Sequence, residues 1–378
     1  MLPNDAPTPA NPGQPAPSLA DLRVEIDRID RELVDLLNYR SEIAVQIGRI
    51  KQAAGLDIWA PSREEEVYAR AFEASKGPLP HETLRIIFRE LISSSRSLQR
   101  QLRVACLGPQ YSYSHLASVA RFGESVEHVL LGSIAAVFEE VARRHVHLGI
   151  VPLENSTDGR INDTLDMFLR QPGLKIRAEV RLRVRHCLVG LGEWSQVRRV
   201  YSKAQAISQC RNWLSKNLPG VTTVDAISSA DAARIAATDP EAAAIASKPA
   251  ADAHGLKILV ENIEDQSNNS TRFAVIAERG ERPTGRDKTT LILRLLNNAG
   301  SLPRAIAPFG AHGVNMTWIE SFPTADASNH INPSYLFFAD FEGHHEDEPV
   351  VRALDEARKH CERLEILGSY PRSECIES

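Results

Sequence analysis

Between Ser18 and Gly55 the apolar positions alternate spacings of three and four: Leu19, Leu22, Ile26, Ile29, Leu33, Leu36, then Ile43, Ile47 and Ile50. That period predicts one long helix with a heptad seam, opened by Ser18 as N-cap and ended at Gly55. A second helix is expected after Pro61, where Ser62 and Glu65 have capping-box spacing. A third is expected over about 81–101, with Leu84, Phe88, Leu91, Leu98 and Leu102 on one face. The long seam exceeds what two further helices can cover, which predicts a helical dimer. Beyond Leu102 short β-rich runs take over, predicting strands at 104–107, 148–151, 180–184, 187–190, 199–201 and 272–277, with helices such as 133–143 and 229–237 between them. This is an α/β pattern. After a polar stretch at 279–288 the order becomes strand 289–295, helix 302–312, strand 315–321, strand 335–341, helix 349–362 and strand 364–369, which is the ferredoxin-like β-α-β-β-α-β order. The chain therefore reads as multidomain: a proline-rich disordered tail over 1–17, an all-α helical domain over 18–102, an α/β domain over 103–279 and an α+β unit over 287–372. The insert 325–333 is expected to be a surface loop.

Composition narrows the partners. A length of 378 residues exceeds one ordinary core, and 25% charge with 43% hydrophobic residues is usual for globular protein. A net charge of −5 provides no basic field, so no nucleic-acid partner is expected. No apolar run approaches the ~20 residues of a membrane helix, and the N-terminus lacks a charged-then-apolar signal pattern. Five scattered cysteines suit reduced thiols, so a cytoplasmic protein is expected, without a disulfide framework or zinc site. His145, His147, His186, His344 and His345 have no partners at ligand spacing, and no metal is expected.

Chemistry first shows where charge interrupts the helical seam. Past Leu36 the next seam position is Arg40, and Lys51 lies eleven residues on, three turns along nearly the same face. Ser95 takes a seam position on the third helix, with Gln99 one turn further. A guanidinium on an apolar seam calls for an anion. A structural polar layer is the competing reading. Arg23 lies roughly 100° around the helix from Arg40, which suits a site shared across a dimer. The run Leu22-Arg23, Leu36-Leu37-Asn38-Tyr39-Arg40, Ile43-Ala44, Ile47-Gly48, Lys51, Arg63-Glu64 resembles the all-helical chorismate mutases, spacing included. The resemblance implies that Arg40 and Arg63 bind substrate, Arg40 chiefly through a carboxylate, with Arg23 arriving from the partner chain. It further implies Lys51 and Gln99 on the ether oxygen, Glu64 on the ring hydroxyl and Ser95 as a polar contact. An acidic position common in that family is Ala60 here. Rearranging chorismate to prephenate needs no nucleophile, metal or cofactor: the protein holds a compact conformer and places donors where charge grows on the breaking C–O bond.

Three strand ends in the α/β region run into hydroxyls and amides before a helix: Gly108-Pro109-Gln110-Tyr111-Ser112-Tyr113-Ser114, Pro152-Leu153-Glu154-Asn155-Ser156, and Ser202-Lys203-Ala204-Gln205 with Gln209 one turn on. Open α/β sheets bind ligands at such ends, although any one of these residues has an ordinary cap as its simpler reading. With Asn268-Asn269-Ser270-Thr271-Arg272-Phe273 they resemble the prephenate dehydratases. That implies a two-lobed, periplasmic-binding-protein-like fold, crossing near Val180 and returning near Val260, with prephenate in the cleft. Thr271 would protonate the departing hydroxyl. Ser112, Ser114, Asn155, Ser202, Gln205 and Gln209 would orient substrate, with Glu154 and Arg272 behind them. Tyr111 stands where the family has glycine, and Lys203-Ala204 where it has His-Pro, which bears on preference between prephenate and arogenate. In the C-terminal unit, Gly300-Ser301-Leu302 and Glu320-Ser321-Phe322-Pro323 resemble phenylalanine-sensing ACT domains, with Ser301 and Phe322 replacing an alanine and an arginine. The implied effector is phenylalanine, at Gly300, Ser301, Leu302, Glu320 and Ser321, in a homodimer or homotetramer. The rivals are a two-lobed small-molecule sensor, and a mutase with a degenerate dehydratase half.

Overall fold

The structure is a computed structural model that describes residues 17–57, 59–157, 159–295, 298–323 and 335–376; the expected tail and the loop at 325–333 fall outside these, apart from Pro17. It divides into two compact units: one holds the chain up to 57 with Leu98–Arg100, the other Trp59–Ser97 and the chain from Gln101 onward.

Helix α1 (Leu19–Ala53) is 35 residues long and opens on a capping box in which Ser18 and Asp21 satisfy each other's backbone groups. Gly55 follows its end with φ 62°, where glycine avoids the Cβ clash of other residues. Its seam stays open, with Leu22, Ile26, Leu33 and Leu36 each at least half exposed. Helix α2 (Pro61–Ala74) starts two residues earlier than the capping-box reading, in which Ser62 is the N-cap. Pro61 takes the first turn, where its fixed φ fits and its missing N–H goes unmissed. Ala60 is the N-cap, with no side-chain cap, and Ser62 hydrogen-bonds Glu281 at 3.4 Å. Helix α3 (His81–Gln99) ends before Leu102, which is buried in the α/β core instead.

The α/β region forms two sheets. The first lobe contains β1 (Arg103–Leu107), α4 (Tyr113–Phe122), β2 (Glu127–Leu131), α5 (Ile134–Ala142), β3 (Leu148–Asn155), β4 (Gly159–Arg160), α6 (Asn162–Arg170) and β5 (Lys175–Arg183). The second lobe contains β6 (Cys187–Gly190), β7 (Arg199–Ser202), α7 (Ala204–Gln209), α8 (Arg211–Asn217), β8 (Thr222–Asp225), α9 (Ser229–Ala236), β9 (Ala242–Ala246), α10 (Lys248–Ala253) and β10 (Lys257–Val260). The chain returns to the first lobe as β11 (Ser270–Ala277). Two expectations are corrected. The strand expected at 180–184 is the end of β5, so the outward crossing lies after Arg183 rather than near Val180. Pro152 does not end its strand: β3 runs on to Asn155, and the pairing with β11 shifts register beside Pro152. A bulge there accommodates a residue without an N–H.

The C-terminal unit comprises β12 (Asp287–Leu295), α11 (Ser301–Ala311), β13 (Met316–Pro323), β14 (Tyr335–Glu342), α12 (Glu348–Arg358) and β15 (Arg363–Pro371), with a short β16 (Cys375–Ile376) pairing in parallel with β5. Its sheet order β13-β14-β12-β15 is antiparallel and ferredoxin-like. One face packs on its own helices through Phe309 and Phe341, stacked at 3.7 Å. The other shares a core with the first lobe, where Phe338, Leu367 and Tyr370 meet Ile176 and Ile276. Gly368 is essential to that approach, since a Cβ there would stand 2.0 Å from the Ile176 carbonyl oxygen. Among the described residues no helix is long and apolar enough to cross a membrane.

Candidate functional site

The pairing of β3 with β11 sets Asn155 directly opposite Thr271. Residues so paired point to the same face. The Asn155 amide donates to Thr271 Oγ1 at 2.8 Å, so the Thr271 oxygen accepts on this side and its own O–H is left to donate elsewhere. Asn269, just before β11, accepts from Asn155 at 3.3 Å and donates to Gln209 Oε1 at 2.9 Å. Gln209 also meets His186 Nε2 at 2.9 Å, and Tyr113 O–H lies 3.2 Å from His186 Nδ1 while donating to the Arg185 carbonyl. One chain of polar groups thus runs from α4, through both crossings between lobes, to Thr271. His186 is buried, and burial pushes its pKa below the ordinary value of 6.5, which favours the neutral ring. Beside this chain lies a cavity of about 140 Å³, lined by Thr157, Gln209, Asn269 and Glu264 among others.

The other expected residues of this region are placed as follows. Ser112 caps α4, accepting from the His115 N–H and donating to the Leu107 carbonyl at 2.9 Å, while Ser114 is buried in the first turn. Gln205 stands half-buried at the start of α7, and Gln209 is buried at its end. Ser202 is fully buried and donates to the Ile245 carbonyl at 2.8 Å. Tyr111 has φ 64°, the left-handed region that favours glycine, and its ring packs edge-on to His115 and His254. Arg272 points away from Thr271, as strand alternation requires. Its guanidinium meets Glu179 at 2.8 Å, Asp340 at 2.7 Å, the Tyr370 hydroxyl at 2.8 Å and, more loosely, Glu154 at 3.8 Å. Burial alone would raise the Glu179 pKa, but the charges of Arg272 and Lys288 outweigh it and hold it below its ordinary value.

Of the helical candidates, Arg23, Arg40, Lys51 and Gln99 fall in the first unit and Arg63, Glu64 and Ser95 in the second. Arg23 is exposed, whereas Arg40 and Lys51 are half-buried, and burial lowers the Arg40 pKa. Gln99 Oε1 is buried without a hydrogen-bond partner among the described residues. Its stem lies against Gly48, where a Cβ would meet Gln99 Cγ at 2.6 Å. Arg63 is exposed and pairs with Glu66 at 2.6 Å, and Ser95 is buried and donates to the Leu91 carbonyl. Glu64 is buried between Arg96 at 2.9 Å and Arg121 at 2.6 Å.

Residues 22–100 match the type II chorismate mutase family and residues 104–281 the prephenate dehydratase family. The bifunctional chorismate mutase/prephenate dehydratase of Aquifex aeolicus is 41% identical over 360 residues, covering 94% of this chain and 98% of that protein. The chain belongs to this bifunctional family. A prephenate dehydratase from Arthrobacter aurescens, solved with L-Phe, is 30% identical with a TM-score of 0.65, covering 72% of this chain and 90% of its own. GqqA, described as a novel type of quorum-quenching acylase, is 32% identical with a TM-score of 0.64, covering 72% of this chain and 98% of its own.

Within the dehydratase half, sequence reasoning left three groups of the polar chain out of the site: Asn269, His186 and Tyr113. Asn269 and Tyr113 stood inside quoted motifs, so their positions were visible and their contacts were not. His186 carried no local signal, because what joins it to Gln209 is a contact across 23 residues of chain. In the mutase half both partners of Glu64 were missed, Arg96 of α3 and Arg121, which lies 57 residues away and in the dehydratase region.

In the C-terminal unit, Gly300 caps α11 with φ 79°, Ser301 is buried and Leu302 half-buried. Glu320 is half-buried and Ser321 exposed, both on β13.

Proposed function

We propose that this chain rearranges chorismate to prephenate in its helical domain (18–102) and converts prephenate to phenylpyruvate in the dehydratase cleft (103–279), under control of phenylalanine bound to an ACT domain (287–372). The observation that carries the dehydratase assignment is the Asn155-to-Thr271 hydrogen bond inside the matched motifs. A threonine hydroxyl is a weak acid, and accepting a bond from Asn155 makes its oxygen a better bearer of developing charge. Thr271 O–H gives its proton to the ring hydroxyl as the C–O bond breaks. Water leaves, the ring carboxylate departs as CO2 and its electron pair completes the aromatic ring. Ser112, Ser114, Asn155, Ser202, Gln205 and Gln209 orient the substrate, Ser202 through the backbone it holds.

In the mutase half, Arg40 and Arg63 bind substrate, Arg40 chiefly through a carboxylate, Lys51 and Gln99 donate to the ether oxygen, Glu64 takes the ring hydroxyl and Ser95 adds a polar contact. Arg23 comes from the partner chain of a dimer built on the open seam of α1. The proposed phenylalanine site is Gly300, Ser301, Leu302, Glu320 and Ser321; that a relative was solved with L-Phe supports the choice of effector. The test feeds chorismate to purified protein without cofactor. Prephenate and phenylpyruvate both form, and phenylalanine lowers the second. Prephenate accumulating alone overturns the dehydratase half and directs attention to Tyr111, Lys203 and an arogenate substrate.

A further inference from the structure

Glu64 lies in the first turn of α2 with only 6% of its surface exposed. Its two carboxylate oxygens are held from different places. Oε1 pairs with Arg96 of α3 at 2.9 Å, and Oε2 with Arg121 of α4 at 2.6 Å. The guanidiniums are themselves fixed. Arg96 donates to the Phe122 carbonyl at 2.7 Å and lies 5.6 Å from the Phe122 ring centroid, while Arg121 lies 5.3 Å from that of Trp59. Trp59 and Phe122 pack at 5.2 Å and belong to the dehydratase core with Val104 and Phe273. Arg177 holds Trp59 from the same core, donating to its carbonyl at 2.9 Å. The start of α2 is thus seated in the dehydratase lobe, and half of the clamp on Glu64 belongs to that lobe.

From this geometry we infer that Arg121, a residue of the dehydratase half, is a positioning residue for the mutase reaction, aiming the Glu64 carboxylate at its ligand. The inference rests on the reading of Glu64 as the group that takes the ring hydroxyl. A carboxylate offers about four acceptor sites, and the two arginine contacts engage one on each oxygen. Were Glu64 held by one arginine alone, a buried carboxylate would swing toward it, and misplacement by about 1 Å suffices for large losses in rate. Helix α4 carries Ser112 and Ser114, read above as orienting prephenate, at its start and Arg121 in its last turn, about 13 Å along its axis. One rigid element therefore carries groups of both reactions.

The test uses the full chain and four variants: Arg121→Gln, Arg121→Lys, Glu64→Gln and the Glu64→Gln/Arg121→Gln double. Chorismate rearrangement and dehydration of supplied prephenate are followed separately. Arg121→Gln lowers mutase kcat on the order of 10- to 100-fold, Arg121→Lys recovers most of it, and both keep the dehydratase rate, which also reports that the lobe is folded. The double variant matches Glu64→Gln alone, because Arg121 acts through Glu64. Full mutase rate in Arg121→Gln with a damaged Glu64→Gln overturns the inference and leaves the reading of Glu64 standing. So does a double variant in which the two losses multiply, or a faster Arg121→Gln enzyme, which makes the clamp a restraint. Full rate in Glu64→Gln overturns the reading itself. Loss of both activities in both Arg121 variants makes Arg121 a folding residue and overturns the inference.

Discussion

At the scale of single residues, the acid proposed for dehydration is one hydroxyl, that of Thr271, with the Asn155 amide behind it. Thr271→Val removes the proton while keeping the shape of a β-branched residue. The expected outcome is a fall of about 10²- to 10⁴-fold in phenylpyruvate formed from supplied prephenate, with the mutase rate kept; an unchanged rate would remove Thr271 as the acid. In the mutase half, Gly48 is needed for closeness rather than for backbone freedom. Its missing side chain lets the stem of Gln99 lie where a Cβ would come within 2.6 Å. Gly48→Ala is therefore expected to cost about 1–3 kcal/mol through overpacking and to depress mutase kcat more than dehydratase kcat. Paired assays and a thermal melt check this.

At the scale of elements, β11 has two faces with different duties. Thr271 points into the polar chain of the cleft, and Arg272, the next residue, points into a buried cluster built with the C-terminal sheet. A strand held on one side by Glu179, Asp340 and Tyr370 presents Thr271 at a fixed height on the other. Asp340→Ala leaves the Arg272 guanidinium short of a partner in a dry site. The expected loss is about 3–5 kcal/mol of stability, read as a lower urea midpoint, together with slower dehydration and an unaffected mutase rate. Equal losses in both activities would mean general unfolding. Much at this scale was legible beforehand. Periodicity marked α1 and its cap, because the helix and its Ser18–Asp21 box are local. The ends of β3 and α2 were misplaced, because the bulge beside Pro152 and the burial of Trp59 depend on neighbours distant in sequence.

At the scale of the whole molecule, the exposed seam of α1 is the surface that the proposed dimer would cover. Leu22, Ile26, Ile29, Leu33 and Leu36 are all exposed on it. If a second copy covers that seam and supplies Arg23, Leu33→Lys dissociates the dimer. Sedimentation then gives a smaller species, and mutase activity falls more than dehydratase activity. Unchanged mass and activity would place the interface elsewhere.

What the sequence determined by itself follows from short-range physics. Helix and strand periods, the Ser18 cap, the glycine after α1 and the order of motifs are properties of neighbours within a turn or two, as are the residue types that suit each reaction. Even the anomaly at Tyr111 was visible, as a bulky residue in a glycine position, and it takes the positive φ that a glycine would. Only the tertiary structure decided which of these residues meet. His186 joins Gln209, Arg121 clamps Glu64, and Arg272 turns from Thr271 beside it toward Asp340 and Tyr370. Buried polar groups must find partners wherever the fold brings them, and in this chain those partners lie from tens to about a hundred residues away, beyond the reach of any local pattern.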